Sequence, residues 1–207
     1  MLKLLLATGN KHKLNELKSL FQDIPYELIS PSEIGIHIRI DENGSSFHEN
    51  AKLKAIAFAS SSYILSLADD SGLEVDALSG KPGVLSARYA GLGATDTERI
   101  DFLLSNLKDI PEVKRQAIFK CVIAIASPEG KVKFFSGECQ GIIKFEPIGD
   151  GGFGYDPIFY LPHIGKTMAE LTQHEKNTIS HRGLAAAKAR TYLLNLANTG
   201  LNGIKTS

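Results

Sequence analysis

The sequence of 207 residues contains no tryptophan, only two cysteines and no excess of charge of either sign. Lysine and arginine together number 23, as do aspartate and glutamate, so no overall positive field is available to hold a nucleic acid polymer or an anionic membrane. Cys121 and Cys139 lack the Cys-x-x-Cys spacing of a zinc site, which favours buried thiols in a reducing cytoplasm. The apolar stretch from Leu2 to Ala7 is too short for a signal sequence or a membrane span. We therefore predict a cytoplasmic protein that binds neither nucleic acid polymers nor membranes.

What is present is an ordinary globular composition, with 43% hydrophobic and 22% charged residues, which is enough to build a sizeable core. Short apolar runs alternate with segments of helical periodicity, and Pro128-Glu129-Gly130 separates two strand-like runs as a hairpin turn. This order predicts an α/β protein with a mixed central sheet and flanking helices, as a single domain over residues 1–207. The predicted strands cover 4–7, 26–29, 63–68, 117–126 and 132–136, with 141–144 pairing nearby, and the predicted helices cover 14–21, 46–60, 96–107 and 181–196.

Two adjacent carboxylates, Asp69 and Asp70, follow the apolar run from Tyr63 to Ala68, and we interpret them as the end of a buried strand. Neighbouring anions raise each other's pKa unless a cation lies beside them, and a hard divalent ion with oxygen ligands commonly supplies that charge. Glu42, in an acidic loop, is a further oxygen donor, although acidic loops are more often only solvated. The carboxylates therefore predict magnesium and phosphate chemistry.

Two glycine-containing motifs are excluded as nucleotide-binding sites by their surroundings. The run from Gly149 to Gly154 matches G-x-G-x-x-G, but Pro157 follows where a dinucleotide-binding helix would have to begin. Gly165-Lys166-Thr167 resembles the end of a P-loop, but Tyr160 occupies the position of the earlier glycine that a P-loop requires. The six histidines include no His-x-x-x-His pair, so a transition metal bound by histidine is not expected.

Polar residues mark the predicted start of the first helix. Thr8, Gly9, Asn10 and Lys13 place a hydroxyl, a permissive backbone, an amide and a cation where backbone N–H groups and the helix dipole attract phosphate. The alternative is an ordinary helix cap with a surface lysine, since threonine and asparagine are common caps. Lys54 is by default a solvated charge on the next helix, although a triphosphate nearby would need such a cation.

The segment from Gly151 to Pro157 surrounds Phe153 with glycines. Such glycines would let the backbone approach a flat ligand while the ring stacks on it, and the alternative is a glycine-rich turn with a core aromatic residue. Hydrogen-bond donors are concentrated at the predicted start of the last helix, where the helix dipole favours acidic side chains. These donors are Lys176, Ser180, His181 and Arg182. They suggest an anionic or carbonyl-rich ligand.

Six blocks along nearly the whole chain together resemble the inosine triphosphate pyrophosphatase family, which includes the Ham-type dITP/XTP pyrophosphatases. Members of this family hydrolyse non-standard purine nucleoside triphosphates such as ITP, dITP and XTP. The blocks are Thr8-Gly9-Asn10-x-x-Lys13, Phe47-x-Glu49-Asn50-Ala51-x-x-Lys54-Ala55, Asp69-Asp70-Ser71-Gly72-Leu73, Pro82-Gly83-x-x-Ser86-Ala87-Arg88-Tyr89-Ala90-Gly91, Gly151-Gly152-Phe153-Gly154-Tyr155-Asp156-Pro157 and Ser180-His181-Arg182-Gly183.

The resemblance implies two lobes joined by a central sheet, with the nucleotide in a cleft between them, in a homodimer. It also implies that Glu42 and Asp70 hold Mg²⁺ and that Asp70 is the catalytic base. Phe153 would stack on the purine. The other substrate-binding residues implied by the resemblance are Thr8, Gly9, Asn10, Lys11, His12, Lys13, Lys54, Ser71, Gly154, Tyr155, Asp156, Lys176, His181 and Arg182.

The implied reaction is attack of water on the α-phosphorus, which releases a nucleoside monophosphate and pyrophosphate. Lys176 can only donate hydrogen bonds, so it would accept a 6-oxo purine and reject the 6-amino group of adenine. Two other interpretations remain open from the residues alone. One is a phosphatase or pyrophosphatase for pyrimidine nucleotides, and the other is a nucleotide-sensing module without turnover, for which Asp70 would have little use.

Overall fold

The computed structural model describes residues 1–199, so the last eight residues of the predicted domain lie outside the described part. Two compact units are present. The first contains residues 1–70, 122–136 and the chain from Leu184 onward, and the second contains residues 71–121 and 137–183. Each unit is thus assembled from segments that are distant in the sequence.

Seven strands form one sheet within residues 1–199, in the order β2-β1-β3-β4-β5-β6-β7. β1 runs parallel to β2 and β3, whereas β6 is antiparallel to both β5 and β7. The sheet is therefore mixed, which confirms the predicted α/β class. The strands are β1 (Leu2–Leu6), β2 (Tyr26–Ile29), β3 (Ser66–Val75), β4 (Gln116–Ala126), β5 (Val132–Ile143), β6 (Phe159–Leu161) and β7 (Lys166–Thr167).

Five α-helices accompany the sheet in the described residues, and their starts are set by side-chain caps. The Ser46 hydroxyl caps α2 by accepting from the backbone N–H of Glu49, and Thr95 forms a capping box with Glu98 at the start of α3. The predicted helices at these places are confirmed. The helices are α1 (Lys11–Leu20), α2 (Phe47–Ser62), α3 (Asp96–Asn106), α4 (Gln173–Ile179) and α5 (His181–Asn198).

Each unit has an apolar interior. In the first unit, Leu4, Leu5 and Leu6 of β1 are fully buried. The buried face of α2 carries alanines, whose small side chains let the helix pack closely against its neighbours. The second unit contains one large cluster that joins the ends of β3, β4 and β5 to α3 and β6. Its members include Leu73, Val75, Ile100, Leu103, Leu107, Phe119, Ile143, Ile158 and Phe159.

The bounds of the predicted strand 63–68 are wrong, although its last three residues lie in β3. Tyr63 is the exposed C-cap of α2 in a left-handed conformation, with φ of 56°, and the strand begins three residues later at Ser66. β3 then continues to Val75, so Asp69 and Asp70 lie inside a strand and not at its end. The separate segments 132–136 and 141–144 are likewise one continuous strand, β5.

The two cysteines can be located within the described residues. Cys121 and Cys139 are both buried thiols, as predicted, and burial raises the pKa of Cys139 to about 11. Among residues 1–199, the structure contains no helix with the length and apolar character needed to cross a membrane.

Candidate active site

The loop between β1 and α1 is organised by its own polar side chains. The Asn10 side-chain oxygen accepts hydrogen bonds from the backbone N–H groups of His12 at 2.9 Å and Lys13 at 3.2 Å. The Thr8 hydroxyl accepts from the backbone N–H of Asn10 at 3.2 Å. Gly9, Lys11 and His12 are exposed around this helix start. The helix cap is therefore real, and it presents the positive end of α1 to solvent, where an anion is favoured.

Five charged side chains of the first unit form an acid–lysine cluster, defined as Lys13, Glu42, Lys54, Asp69 and Asp70. The Lys54 ammonium lies between two carboxylates, 3.1 Å from Asp70 and 3.0 Å from Glu42. The Lys13 ammonium lies 3.1 Å from Asp69, whose side chain is completely buried. The cluster explains how two adjacent acids are tolerated inside β3, since each of them contacts a lysine.

Burial and charge oppose each other within the acid–lysine cluster. Burial raises the pKa of Asp70, helped by the Glu42 carboxylate and opposed by Lys54 and Lys13. For Glu42, burial acts upward on the pKa, but Lys54 and Lys13 outweigh it and the pKa is lowered. Burial acts downward on the pKa of Lys54, but the three carboxylates outweigh it and the pKa is raised. When all five side chains are ionised, the cluster carries three negative charges and two positive charges.

Asn50 is a functional candidate that the sequence reasoning did not single out. Its side-chain nitrogen donates to Asp70 Oδ2 at 3.2 Å, and its side-chain oxygen accepts from the backbone N–H of Gly44 at 2.8 Å. Asn50 is 1% exposed and lies one turn before Lys54 on α2. That spacing of four residues places both side chains on one helix face, which is the signal that would have identified Asn50.

The donor set of the acid–lysine cluster fits magnesium. Its acidic members offer only carboxylate oxygens, the ligands that this hard cation prefers, and they carry one negative charge more than the two lysines neutralise. In the part of the chain from 1 to 199, no group of three or more His, Cys, Asp and Glu side chains is arranged to hold a metal ion. A cation that keeps several waters and uses substrate phosphate oxygens needs only one or two protein carboxylates. Glu42 and Asp70 are the residues that would hold it.

A second group of side chains, in the second unit, surrounds Phe153. The half-buried Phe153 ring has the Lys176 ammonium 5.0 Å from its centre and the Arg182 guanidinium 5.5 Å from it. The Asp156 carboxylate accepts from the Lys176 ammonium at 2.6 Å and from the Phe153 backbone N–H at 2.8 Å. Lys176 and Asp156 are both almost fully buried. Asp156 thereby fixes both Lys176 and Phe153. We call Phe153, Asp156, Lys176 and Arg182 the aromatic cluster.

The glycines beside Phe153 serve this arrangement directly. Gly152 has φ of +70°, and a Cβ there would overlap the Asp156 carboxylate. The Gly154 backbone N–H donates to Asp96 Oδ2 at 2.6 Å, and the other oxygen of Asp96 pairs with Arg99. The space left by the absent Cβ at Gly152 is therefore occupied by the Asp156 carboxylate. Asp96 is a second residue that the sequence reasoning missed, because a first-turn acid is ordinary in a helix.

Of the remaining predicted residues of the second unit, Tyr155 and His181 are buried, whereas Ser71 and Gly154 are half-buried. The Tyr155 hydroxyl donates to the Ser86 carbonyl at 3.0 Å, and burial raises the pKa of that hydroxyl. The His181 ring stacks on Phe119 with 4.7 Å between ring centres. Arg182, which is 2% exposed, donates to the Ser71 hydroxyl at 2.8 Å. Tyr155 and His181 thus contact the core.

The structure divides the predicted site residues into two sets, one in each unit. One correction concerns Lys176, which was placed at the start of the last helix but belongs to α4, the short helix before it. The first unit contains Thr8, Gly9, Asn10, Lys11, His12, Lys13, Glu42, Lys54 and Asp70, and the second contains Ser71, Phe153, Gly154, Tyr155, Asp156, Lys176, His181 and Arg182.

A model of the Ham1 family matches residues 4–192, which is nearly the whole chain. The chain belongs to the Ham1 family. This membership confirms the resemblance inferred from the six sequence blocks, and the matched range includes every residue of the acid–lysine cluster and of the aromatic cluster.

Curated relatives in the Ham1 family are similar to the chain over almost their full length. A dITP/XTP pyrophosphatase of Desulforamulus reducens is 49% identical over 192 residues, which cover 93% of this chain and 96% of the relative. A dITP/XTP pyrophosphatase of Geobacter sulfurreducens is 47% identical over 193 residues, covering 93% and 97%. The solved structure of a HAM1 protein from Coxiella burnetii matches with a TM-score of 0.86 and 44% identity, covering 94% of this chain and all of that one. This likeness confirms the fold class.

Proposed function

We propose that this chain hydrolyses non-standard purine nucleoside triphosphates, namely ITP, dITP and XTP, to the monophosphate and pyrophosphate. This activity would remove such nucleotides from the pool before they are incorporated into DNA or RNA. The observation that carries the proposal is the acid–lysine cluster, in which Lys54 lies between Glu42 and Asp70. Curated Ham1-type relatives named dITP/XTP pyrophosphatase cover nearly the whole chain and support it.

The first unit supplies the groups for the triphosphate. The start of α1, whose first turn is held by the Thr8 and Asn10 side chains, presents the positive end of the helix dipole to the phosphate groups. Lys11 and His12 are exposed at this start, and Lys13 and Lys54 add positive charge beside it. Glu42 and Asp70 would hold Mg²⁺, which when bound neutralises charge on the phosphate oxygens.

Asp70 is the proposed base for the reaction. It removes a proton from a water molecule, and that water attacks the α-phosphorus while the bond from this phosphorus to the bridging oxygen breaks. Pyrophosphate leaves with the bridging oxygen. Burial raises the pKa of Asp70 above its ordinary value, which makes the carboxylate a stronger proton acceptor than a solvated aspartate. Lys54 keeps that carboxylate oriented.

The second unit supplies the groups for the base. Phe153 offers a ring face for stacking, and Ser71, Gly154, Tyr155 and His181 complete the proposed substrate contacts. Lys176 can donate to a 6-oxo group, whereas the 6-amino group of adenine would meet a donor and stay unpaired, at a cost of about 1–3 kcal/mol. The ion pair with Asp156 at 2.6 Å fixes the Lys176 ammonium in place.

The dependence on Mg²⁺, the homodimeric state and the cytoplasmic location belong to this proposal as well. The excess of carboxylate over lysine charge in the acid–lysine cluster supports the first of these. The buried thiols of Cys121 and Cys139 suit a reducing compartment and support the last. The homodimer rests on the family resemblance.

The experiment is a panel of nucleotides assayed for released pyrophosphate and orthophosphate, with Mg²⁺ and with a chelator. We expect XTP, ITP and dITP to give pyrophosphate and dATP to react at least about tenfold more slowly, because one unpaired buried polar group costs that much. The chelator should abolish turnover. Release of orthophosphate in place of pyrophosphate, or a preference for pyrimidine triphosphates, would contradict the proposal. Nucleotide binding without any product would indicate a sensing module.

A further inference from the structure

The sequence block that contains Lys54 also contains Asn50, a buried polar residue without a role in the reaction described above. Asn50 is 1% exposed, compared with 2% for Asp69, 6% for Asp70 and 9% for Lys54. A buried amide is retained only where its donor and its acceptor are both satisfied. Both are satisfied here: the donor by the Asp70 carboxylate and the acceptor by the backbone N–H of Gly44 in the acidic loop.

The two oxygens of Asp70 are held by consecutive turns of α2. Asp70 Oδ1 accepts from the Lys54 ammonium at 3.1 Å, and Oδ2 accepts from the Asn50 side-chain nitrogen at 3.2 Å. One donor per oxygen fixes the plane of the carboxylate. Because the amide is neutral, Asn50 orients Asp70 without cancelling its charge, whereas a second lysine in that place would cancel it.

The other end of the Asn50 side chain holds the acidic loop. Its oxygen accepts from the backbone N–H of Gly44 at 2.8 Å, two residues after Glu42. The contact is close enough to require glycine, since a Cβ at position 44 would lie 2.7 Å from Asn50 Oδ1 and 2.8 Å from Glu49 Cβ. Gly44, Asn50, Asp70, Lys54 and Glu42 thus form a closed ring of hydrogen bonds, with the chain from 42 to 44 completing it.

We propose that Asn50 is a positioning residue that sets Asp70 and the Glu42 loop in a fixed relation, and so prepares both carboxylates for the metal ion. The inference deepens the proposed function and rests on it. Only a side chain with a donor and an acceptor on one planar group can make both contacts, which explains an asparagine at this place on α2.

Three variants separate positioning from simple stability. Asn50→Leu keeps the approximate shape and removes both hydrogen bonds. Asn50→Asp keeps the acceptor for Gly44 but replaces the donor to Asp70 with a like charge. Ser46→Ala is the matched control, because it removes the cap of the same helix and does not contact Asp70.

The first readout is amide exchange of Gly44 by NMR, in the metal-free protein without substrate. Asn50→Leu should raise the exchange rate about tenfold, the effect of losing one hydrogen bond, whereas Asn50→Asp and Ser46→Ala should retain protection. Unchanged exchange in Asn50→Leu would overturn the link to the loop. This readout does not depend on activity, so it separates failure of the inference from failure of the proposed function.

The second readout is the kinetics of XTP hydrolysis at varied Mg²⁺. Asn50→Leu should raise the half-activating Mg²⁺ concentration and lower kcat, each by about ten- to a hundredfold, with KM for XTP at saturating Mg²⁺ nearly unchanged. Asn50→Asp should lower kcat by at least about tenfold while keeping Gly44 protected. Wild-type values in Asn50→Leu, or equal losses in Ser46→Ala, would overturn the proposal. An inactive wild-type protein would refute the proposed function instead.

Discussion

Replacing Asp70 by asparagine is expected to reduce kcat for XTP hydrolysis by about a hundredfold to ten-thousandfold, the usual contribution of a positioned general base. Asparagine keeps the shape and can still accept from Lys54, although it loses the hydrogen bond from Asn50. It cannot accept a proton and is a poor magnesium ligand. The measurement is pyrophosphate release at saturating XTP and Mg²⁺. Asp41→Asn is a matched control, since this exposed acid lies in the same loop as Glu42. Near wild-type turnover in Asp70→Asn would remove Asp70 from the mechanism.

The same variant is expected to remain folded at neutral pH, because the lost hydrogen bond from Asn50 is offset by removal of a buried charge. Burial raises the folded-state pKa of Asp70 above the ordinary value of 3.8, so ionisation of this carboxyl works against folding as pH rises. Asparagine does not ionise, and any gain in Tm should shrink as pH falls towards that ordinary value. Tm of both proteins, measured without Mg²⁺ between neutral pH and about pH 4, tests whether ionisation of Asp70 destabilises the fold. A large loss of Tm at neutral pH would mean that Asp70 serves the fold.

Replacing Phe153 by alanine is expected to raise KM for XTP by about ten- to a hundredfold, because stacking of a base on an aromatic ring contributes roughly 1–3 kcal/mol. The ring is half-buried and its backbone N–H is held by Asp156, so the loop itself should persist and Tm should change little. Steady-state kinetics and thermal unfolding of the same preparation provide the comparison.

Phe134→Ala is the control for this substitution, since Phe134 is 39% exposed, lies in the first unit and contacts His48. It should leave KM unchanged. Phe153→Leu separates bulk from the aromatic face and should recover only part of the affinity. An unchanged KM in Phe153→Ala would count against stacking and would leave Phe153 as a structural residue of its loop.

Local sequence signals predicted the parts of the fold that depend on neighbours in the chain. The Asn10 and Ser46 caps mark helix starts whatever the rest of the protein does, and the structure contains both. The interior position of Asp69 and Asp70 in β3 was missed because it depends on lysines from two other elements. Without Lys13 and Lys54, two buried acids would end a strand.

The continuity of β5 was missed for a similar reason. The sequence analysis ended one strand at Ser136 and placed a second segment from Gly141, where a Cβ would lie 2.6 Å from the Phe159 ring and from the Tyr160 carbonyl oxygen. The glycine therefore serves packing against β6 within an unbroken strand. Asn50 and Asp96 escaped notice because each is ordinary on a helix. The spacing of Asn50 from Lys54 was a local signal, whereas Asp96 is distinguished only by its tertiary partner Gly154.

The most direct test of the central claim is the position of the bond that breaks when XTP is hydrolysed in water enriched in oxygen-18. Attack on the α-phosphorus transfers one labelled oxygen to the monophosphate and leaves pyrophosphate unlabelled, and mass spectrometry of both products distinguishes them. The account predicts label in the monophosphate alone. Label in pyrophosphate, or labelled orthophosphate with a nucleoside diphosphate, would contradict it.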